Sequence, residues 1–409
     1  MMQPQDAIGL TPPSSWRNAP FWSLFRREKQ TGFPEEELLS VYRDHGVVPT
    51  ASRDDNHNKP SEDLSGYQLV TEGALVTNKM KAWQGSISIS RYRGIVSPAY
   101  YVYRPLGEEH DQFLHYLLRS EPYIALYQRI SKGVRVNQWD LEHEALRTIP
   151  VLLPDLPTQK RIADFLDRET SRIDQLIEKK MKLNEILKEK REDVISEQIS
   201  STVWPTTKLK HLAACPITNG VGEAAEFDDP EWPRYIRITD IETATTLKSN
   251  IFKSLPNDVA SKAPVEFGDI LFAAVGASFG KSYLHKSEGN FCYAGFLVRF
   301  RANTLVYPEY ISLWAQSRDF RQQLDSGSVQ ATIQNFSAGK YRNLQVPHPP
   351  VQEQVKIIEE VKNAIDKIDM VIKKNMDAID FLEERRSSLI TAAVTGQLDV
   401  SSHQPLETV

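Results

Sequence analysis

The sequence predicts an α+β protein: two mixed α/β domains, separated by two long helices that form an antiparallel coiled coil, arranged as an internal repeat with a pseudo-two-fold relation between its copies. Three observations predict it. The chain matches itself at a displacement of 195 residues, two stretches of about forty residues carry apolar heptads, and each stretch follows a segment of short strand-like runs with one amphipathic helix.

The repeat is clearest around the helices. Pro154, Gln159, Ile162, Ile173, Asp174, Ile177, Lys179, Met181, Leu187, Glu189, Arg191 and Ile195 recur without a gap as Pro349, Gln354, Ile357, Ile368, Asp369, Ile372, Lys374, Met376, Leu382, Glu384, Arg386 and Ile390. In the globular part Gly73, Leu75, Gly85 and Arg104 align with Gly268, Ile270, Gly280 and Arg299, while most other side chains differ. The scaffold is repeated and its surface has diverged, a pattern that suits two readers tuned to different targets better than one active site built twice. The expected organisation is a first domain over 1–155, a helix over 156–201, a second domain over 202–350, a second helix over 351–396 and a polar tail over 397–409.

In each domain strand-like runs precede a helix. Residues 73–77 and 95–103 are followed by a helical pattern over 111–119, and 268–272 and 291–300 by one over 308–316. In the first long helix no Pro or Gly interrupts 162–199; Leu166, Ile173, Leu187 and Val194 share one heptad position, with Leu176 and Leu183 on the other. The second copy offers Val361, Ile368, Leu382 and Leu389, joined by Val371 and Ala378. The interrupted position is Lys180 in one copy and Asn375 in the other, each near the middle of its helix. Antiparallel pairing would set these two face to face, where a single polar pair can fix register. Forty residues at helical rise form a rod of roughly 60 Å, a ruler between the two domains.

Composition narrows the function. A net charge of -5 leaves nonspecific phosphate neutralisation unable to explain DNA binding alone, so positive charge must act locally. The acid surplus falls in 350–409, with 7 Lys and Arg against 11 Asp and Glu. Cys215 and Cys292 fit neither a disulfide framework nor a metal-ligand spacing. Residues 1–13 lack a leader pattern and no run of ~18 apolar residues occurs, so a soluble, cytoplasmic protein with no membrane contact is expected. The nine histidines are scattered, Asp54-Asp55 and Asp228-Asp229 lack a catalytic partner pattern, and residues 276–282 have three residues between the glycines where a phosphate loop needs four. No catalytic residue and no metal ligand is assigned.

Loops mixing bases, amides and aromatics are the candidate contacts, since Lys and Arg hold phosphates while Gln, Asn, Arg and Ser pair with base edges. In the first domain they are Asn78, Lys79, Lys81, Trp83 and Gln84, then Arg91 and Arg93, and then the Gly-led segment with Lys132, Arg135 and Asn137. In the second they are Ser278, Lys281 and Tyr283, and the equivalent Gly-led segment with Gln330, Thr332, Gln334 and Asn335.

With these residues in hand, the chain resembles the specificity (S) subunit of type I restriction-modification systems over nearly its whole length. Residues 73–85 (Gly-Ala-Leu-Val-Thr-Asn-Lys-Met-Lys-Ala-Trp-Gln-Gly) and 94–100 (Gly-Ile-Val-Ser-Pro-Ala-Tyr) resemble a widespread type of target-recognition domain, and the unit running from Pro into Gln and a helix stands twice, at Pro154 to Gln159 and Pro349 to Gln354. The second domain lacks the first domain's strings, which leaves its contact loops less defined. The resemblance implies a subunit without catalysis of its own that binds an asymmetric two-part site on double-stranded DNA, one half per domain. It implies docking of two modification (methyltransferase) subunits and, through them, of restriction/translocase subunits. No cofactor is expected in this chain: S-adenosylmethionine belongs to the methyltransferase, ATP and Mg to the restriction subunit. The alternatives are a two-headed scaffold of another defence system and a protein-protein scaffold that binds no DNA.

Overall fold

The computed structural model describes residues 13–43, 45–52, 61, 63–135, 138–199, 204–275, 279–328 and 336–400. It divides into two compact units, Met1–Lys179 with Asp377–Val409 and Lys180–Met376.

In the first unit the strands are β1 (Arg17–Pro20), β2 (Phe25–Glu28), β3 (Leu39–Tyr42), β4 (Gly46–Pro49), β5 (Gln68–Val70), β6 (Leu75–Asn78), β7 (Ile87–Ile89), β8 (Gly94–Val96), β9 (Tyr100–Pro105), β10 (Lys132–Arg135), β11 (Gln138–Asp140) and β12 (Pro150–Leu153). The helices are α1 (Phe21–Leu24), α2 (Asp111–Leu118), α3 (Glu121–Ile130), α4 (His143–Arg147) and α5 (Leu156–Gln198), the last shared with the second unit. The main sheet is antiparallel in the order β2-β9-β6-β7. Its core gathers Phe21, Leu75, Tyr103, Phe113, Leu117, Tyr123 and Tyr127 around Ile162 and Leu166 of α5 and Ala393 and Val394 from the far end of the chain.

The second unit repeats this plan. Its strands are β13 (Thr206–Lys208), β14 (Thr218–Asn219), β15 (Arg234–Ile236), β16 (Pro264–Val265), β17 (Ile270–Ala273), β18 (Ser282–Leu284), β19 (Phe291–Tyr293), β20 (Leu297–Phe300) and β21 (Gln345–Pro347). Its helices are α6 (Asn257–Ala260), α7 (Pro308–Trp314), α8 (Arg318–Ser328), α9 (Ala338–Tyr341) and α10 (Val351–Val394), the last shared with the first unit. The sheet order β14-β20-β17-β18 is that of the first unit, strand for strand. Ile195 of α5, Ile199 just after it, and Val361 and Ile365 of α10 close its core against Trp314, Phe320 and Tyr341.

Two strand readings need correction. The run over 95–103 is two strands in different sheets, because the turn at Ser97, Pro98 and Ala99 breaks it; the run over 291–300 splits likewise around Gly295. The recurring glycines now have a cause. Gly73 and Gly268 adopt φ of 79° and 86°, and Gly85 and Gly280 adopt 91° and 80°, a left-handed region that costs other residues strain. At Gly85 and Gly280 an added Cβ would also meet Ile124 and Leu324, each at 3.0 Å.

Buried glutamines repeat just as closely. Gln159 Oε1 accepts from the backbone N–H of His110, the residue capping α2, at 2.9 Å, and its Nε2 donates to the Pro154 carbonyl at 3.0 Å. Gln354 does the same at Tyr307, which caps α7, and at the Pro349 carbonyl, both at 3.0 Å. Each glutamine thus satisfies a helix-start donor that has no intrahelical partner.

The long helices pair antiparallel. In the second unit Lys180 Nζ donates to Asn375 Oδ1 (3.2 Å), Asn375 Nδ2 to Asn184 Oδ1 (3.1 Å), and Arg191 Nε to Asp369 Oδ1 (3.2 Å), so numbers rise on α5 as they fall on α10. In the first unit Arg386 Nε donates to Asp174 at 2.9 Å. This is the Arg191–Asp369 pair over again, moved by one repeat. The second seam line differs from expectation: Leu176, Leu183 and Val371 are exposed at 48%, 42% and 43%. Thr170, Ile177, Asn184 and Arg191 turn inward instead, matched on α10 by Ile365, Ile372, Ile379 and Arg386. Polar members hid that line from an apolar pattern. No helix among the described residues is long and apolar enough to cross a membrane.

Candidate nucleic-acid interface

In the first unit the loop after β6 and the hairpin β10–β11 come together. The Trp83 and Trp139 rings stack with centroids 5.1 Å apart, and the Trp83 indole N–H donates to the Met80 carbonyl at 3.0 Å. Leu141 N–H donates to the Lys79 carbonyl, tying the hairpin's exit to the loop. Asn78 Oδ1 accepts from Met80 N–H, shaping the turn. Lys81 is exposed and Gln84 half-buried; among the described residues neither side chain forms a hydrogen bond or ion pair. Lys132 is exposed and paired with Glu142 at 2.9 Å. Asn137 and the side chain of Arg135 lie outside the described residues.

Lys79 is less free than its loop position suggests. Its ammonium donates to the Pro98 carbonyl at 2.8 Å and stands 4.6 Å from the Tyr101 ring centroid. Burial, then the neighbouring Arg27 charge, lowers its pKa from the ordinary lysine value. Arg27 lies 4.4 Å from the same ring. Arg27, Tyr101 and Trp139 were missed from sequence. The first two stand on strands 52 and 22 residues from Lys79 in the chain, so only the pairing of β2, β9 and β6 makes them neighbours.

Arg91 and Arg93 are not part of this cluster. They follow β7 at the opposite end of the β6–β7 pair from Gln84, since Leu75 pairs with Ile89 and Thr77 with Ile87. Arg91 donates to Gln112 and Arg93 to Glu36.

In the second unit Lys281 is exposed on the turn after β17. It lines a cavity of about 420 Å³ with Arg191, Gln316 and Arg321. Tyr283 requires correction. It is 1% exposed, its hydroxyl lies 3.2 Å from His285 Nδ1, and β18 is buried along its whole length, so Tyr283 is a core residue. Ser278, Gln330, Thr332, Gln334 and Asn335 lie outside the described residues. Among the described residues no group of three or more His, Cys, Asp or Glu could hold a metal.

One mixed domain, present twice and each time followed by a long helix, makes this a repeat protein. Comparison with known proteins shows what the chain resembles. Residues 30–188 match the family model described as type I restriction modification DNA specificity domain. The StySPI specificity subunit of Salmonella potsdam is 24% identical over 434 residues, covering 94% of this chain and 90% of that protein. The EcoKI specificity subunit of Escherichia coli is 22% identical over 316 residues, covering 73% and 68%. A chain from a solved structure on complex assembly and conformational transition of the type I R-M system superposes with a TM-score of 0.71 at 14% identity, over 95% of this chain and 100% of that one, which supports the fold. The chain is thus similar, over most of its length, to type I restriction enzyme specificity subunits.

Proposed function

We propose that this chain is the DNA-reading subunit of a type I restriction-modification complex, acting in the cytoplasm, with each unit reading one half of an asymmetric bipartite site on duplex DNA. The observation that carries the reading is one scaffold present twice, with sheet order, glycine turns and glutamine clamps kept while the loops beyond the strands differ. In the first unit the candidate contacts are Asn78, Lys79, Lys81, Trp83, Gln84, Lys132, Arg135 and Asn137. In the second, Ser278, Lys281, Gln330, Thr332, Gln334 and Asn335 are the candidate contacts. Arg91 and Arg93, at the other end of the sheet, make at most outlying backbone contacts.

The chain contributes no catalysis and binds no cofactor. Two modification subunits bring S-adenosylmethionine, and restriction/translocase subunits, held through them, bring ATP and Mg. A docking surface of matching repetition supports this. Met181 and Ile186 on α5 are exposed at 57% and 53%, and their repeat equivalents Met376 and Phe381 on α10 at 57% and 62%. Apolar side chains left in water at equivalent places suit the same partner bound twice. The Lys180–Asn375–Asn184 contact fixes the register of the helices.

Co-expression with an adenine methyltransferase of the modification-subunit type, followed by mapping of methylated sites, tests the reading. A bipartite motif is expected, and exchanging residues 1–150 should change the letters of one half only. No methylated motif would favour a scaffold that binds no DNA.

A further inference from the structure

Around Tyr101 the first unit gathers three cations, with Asp140 and Glu142 as the acids that act on the ring. Arg27 and Lys79 stand 4.4 and 4.6 Å from one ring centroid, and Lys29 adds to the positive potential that acts on Lys79. None of the three cations forms a salt bridge among the described residues, and the Tyr101 hydroxyl has no hydrogen-bond partner there. Asp140 acts on Lys79 from nearby, while Glu142 is engaged by Lys132. Three cations beside one free carboxylate repel one another, and a further anion would relieve that repulsion. The ring positions the cations, since a guanidinium or ammonium is attracted to an aromatic face. Arg27 pairs with Tyr103 across β2 and β9, so Tyr101 is its diagonal neighbour on the same face.

The second unit supplies an internal comparison. The pairing Asn219↔Val298 on β14 and β20 is the repeat of Arg27↔Tyr103, which places Asn219 where the first unit has Arg27. By the 195-residue displacement Ala274 stands for Lys79 and Phe296 for Tyr101. Asn219 donates to the Gly295 carbonyl, Ala274 is buried, and Phe296 is 65% exposed. Both charges and the hydroxyl are gone together, while the aromatic platform stays.

We propose that Arg27, Tyr101 and Lys79 form a clamp for one DNA backbone phosphate in the first unit, a contact the second unit does not repeat. The guanidinium and ammonium neutralise the phosphate, and the phenol O–H donates to one of its oxygens. A phosphate contact positions the reader without selecting bases, so the clamp would set where the first unit sits on the duplex and give the two units unequal salt dependence. The inference rests on the DNA-reading role proposed above.

The test uses the full chain with its modification subunits and a fluorescent duplex carrying the mapped motif, beside the same duplex with the first unit's half-site scrambled. Arg27→Gln and Lys79→Gln should each lower the slope of log K against log salt by about 1. They should weaken both duplexes by the same factor and leave the methylated letters unchanged. Arg27→Lys should keep the slope, which separates loss of charge from damage to the fold. An unchanged slope in the Gln variants, or altered letters in the first half-site, overturns the clamp. A wild-type chain that yields no bipartite motif and binds neither duplex overturns the DNA-reading role itself, a distinguishable result.

Discussion

Replacing Gln159 by leucine should cost the first unit about 1–5 kcal/mol, and Gln354→Leu should cost the second unit the same. Gln159 is 1% exposed and Gln354 is fully buried. In each case leucine keeps the approximate volume but strands two backbone groups, the capping N–H of the following helix (His110 or Tyr307) and a proline carbonyl (Pro154 or Pro349). An unsatisfied buried group costs about 1–3 kcal/mol, and the added apolar burial of leucine returns about 1 kcal/mol of the sum. Because the chain has two units, a single midpoint would be misleading. Differential scanning calorimetry, with each variant compared against wild type at one protein concentration, resolves which transition moves. A loss below about 0.5 kcal/mol in both variants would refute the idea that these amides hold the helix starts in place.

Lys81→Ala should weaken or relax one half-site by about 1–3 kcal/mol if a base contact is lost, read by methylome mapping and titration; uniform loss on all duplexes would make it a phosphate contact. Tyr283→Phe should cost about 1 kcal/mol of stability through its contact with His285 and leave every methylated letter unchanged; a changed letter would return Tyr283 to the interface. Burial, reinforced by the Arg119 and Arg91 charges, lowers the pKa of His115 from 6.5 to about 3. Between those values the unfolded chain binds a proton that the folded chain does not, so stability falls as pH drops below about 6.5, by at most ~1.4 kcal/mol per pH unit. In His115→Gln that contribution should vanish from the acid limb of a pH-dependent urea titration; an unaltered limb would show the imidazole to be uninvolved.

The repeat made the architecture readable, because covalent spacing survives divergence of side chains. Gly73 and Gly268 stood out as recurrences before their positive φ explained them. Periodicity found both helices and the facing of Lys180 and Asn375, but it chose Leu176 and Leu183 over Ile177 and Asn184. Hydrophobicity marks burial and cannot register a polar residue that satisfies itself inside a seam. The interface was readable only where it is local. Loop 78–84 is continuous in sequence, whereas Arg27 and Tyr101 join it through strand pairing. Tyr283 was misplaced because β18 is covered on both faces, Ser282 and Leu284 being buried as well, and a short polar run gives no sign of that.

The first unit takes residues 377–400 into its fold. Ala393 and Val394 lie in its core, and a Cβ on Gly396 would collide with Pro13 and Trp16. During synthesis, therefore, the half of the protein that leaves the ribosome first is the half that must wait. Lys180–Met376 is one continuous stretch and can close as it emerges. The earlier segment keeps part of its apolar surface uncovered until α10 arrives, which makes synthesis of residues 377–400 the step that finishes the first unit.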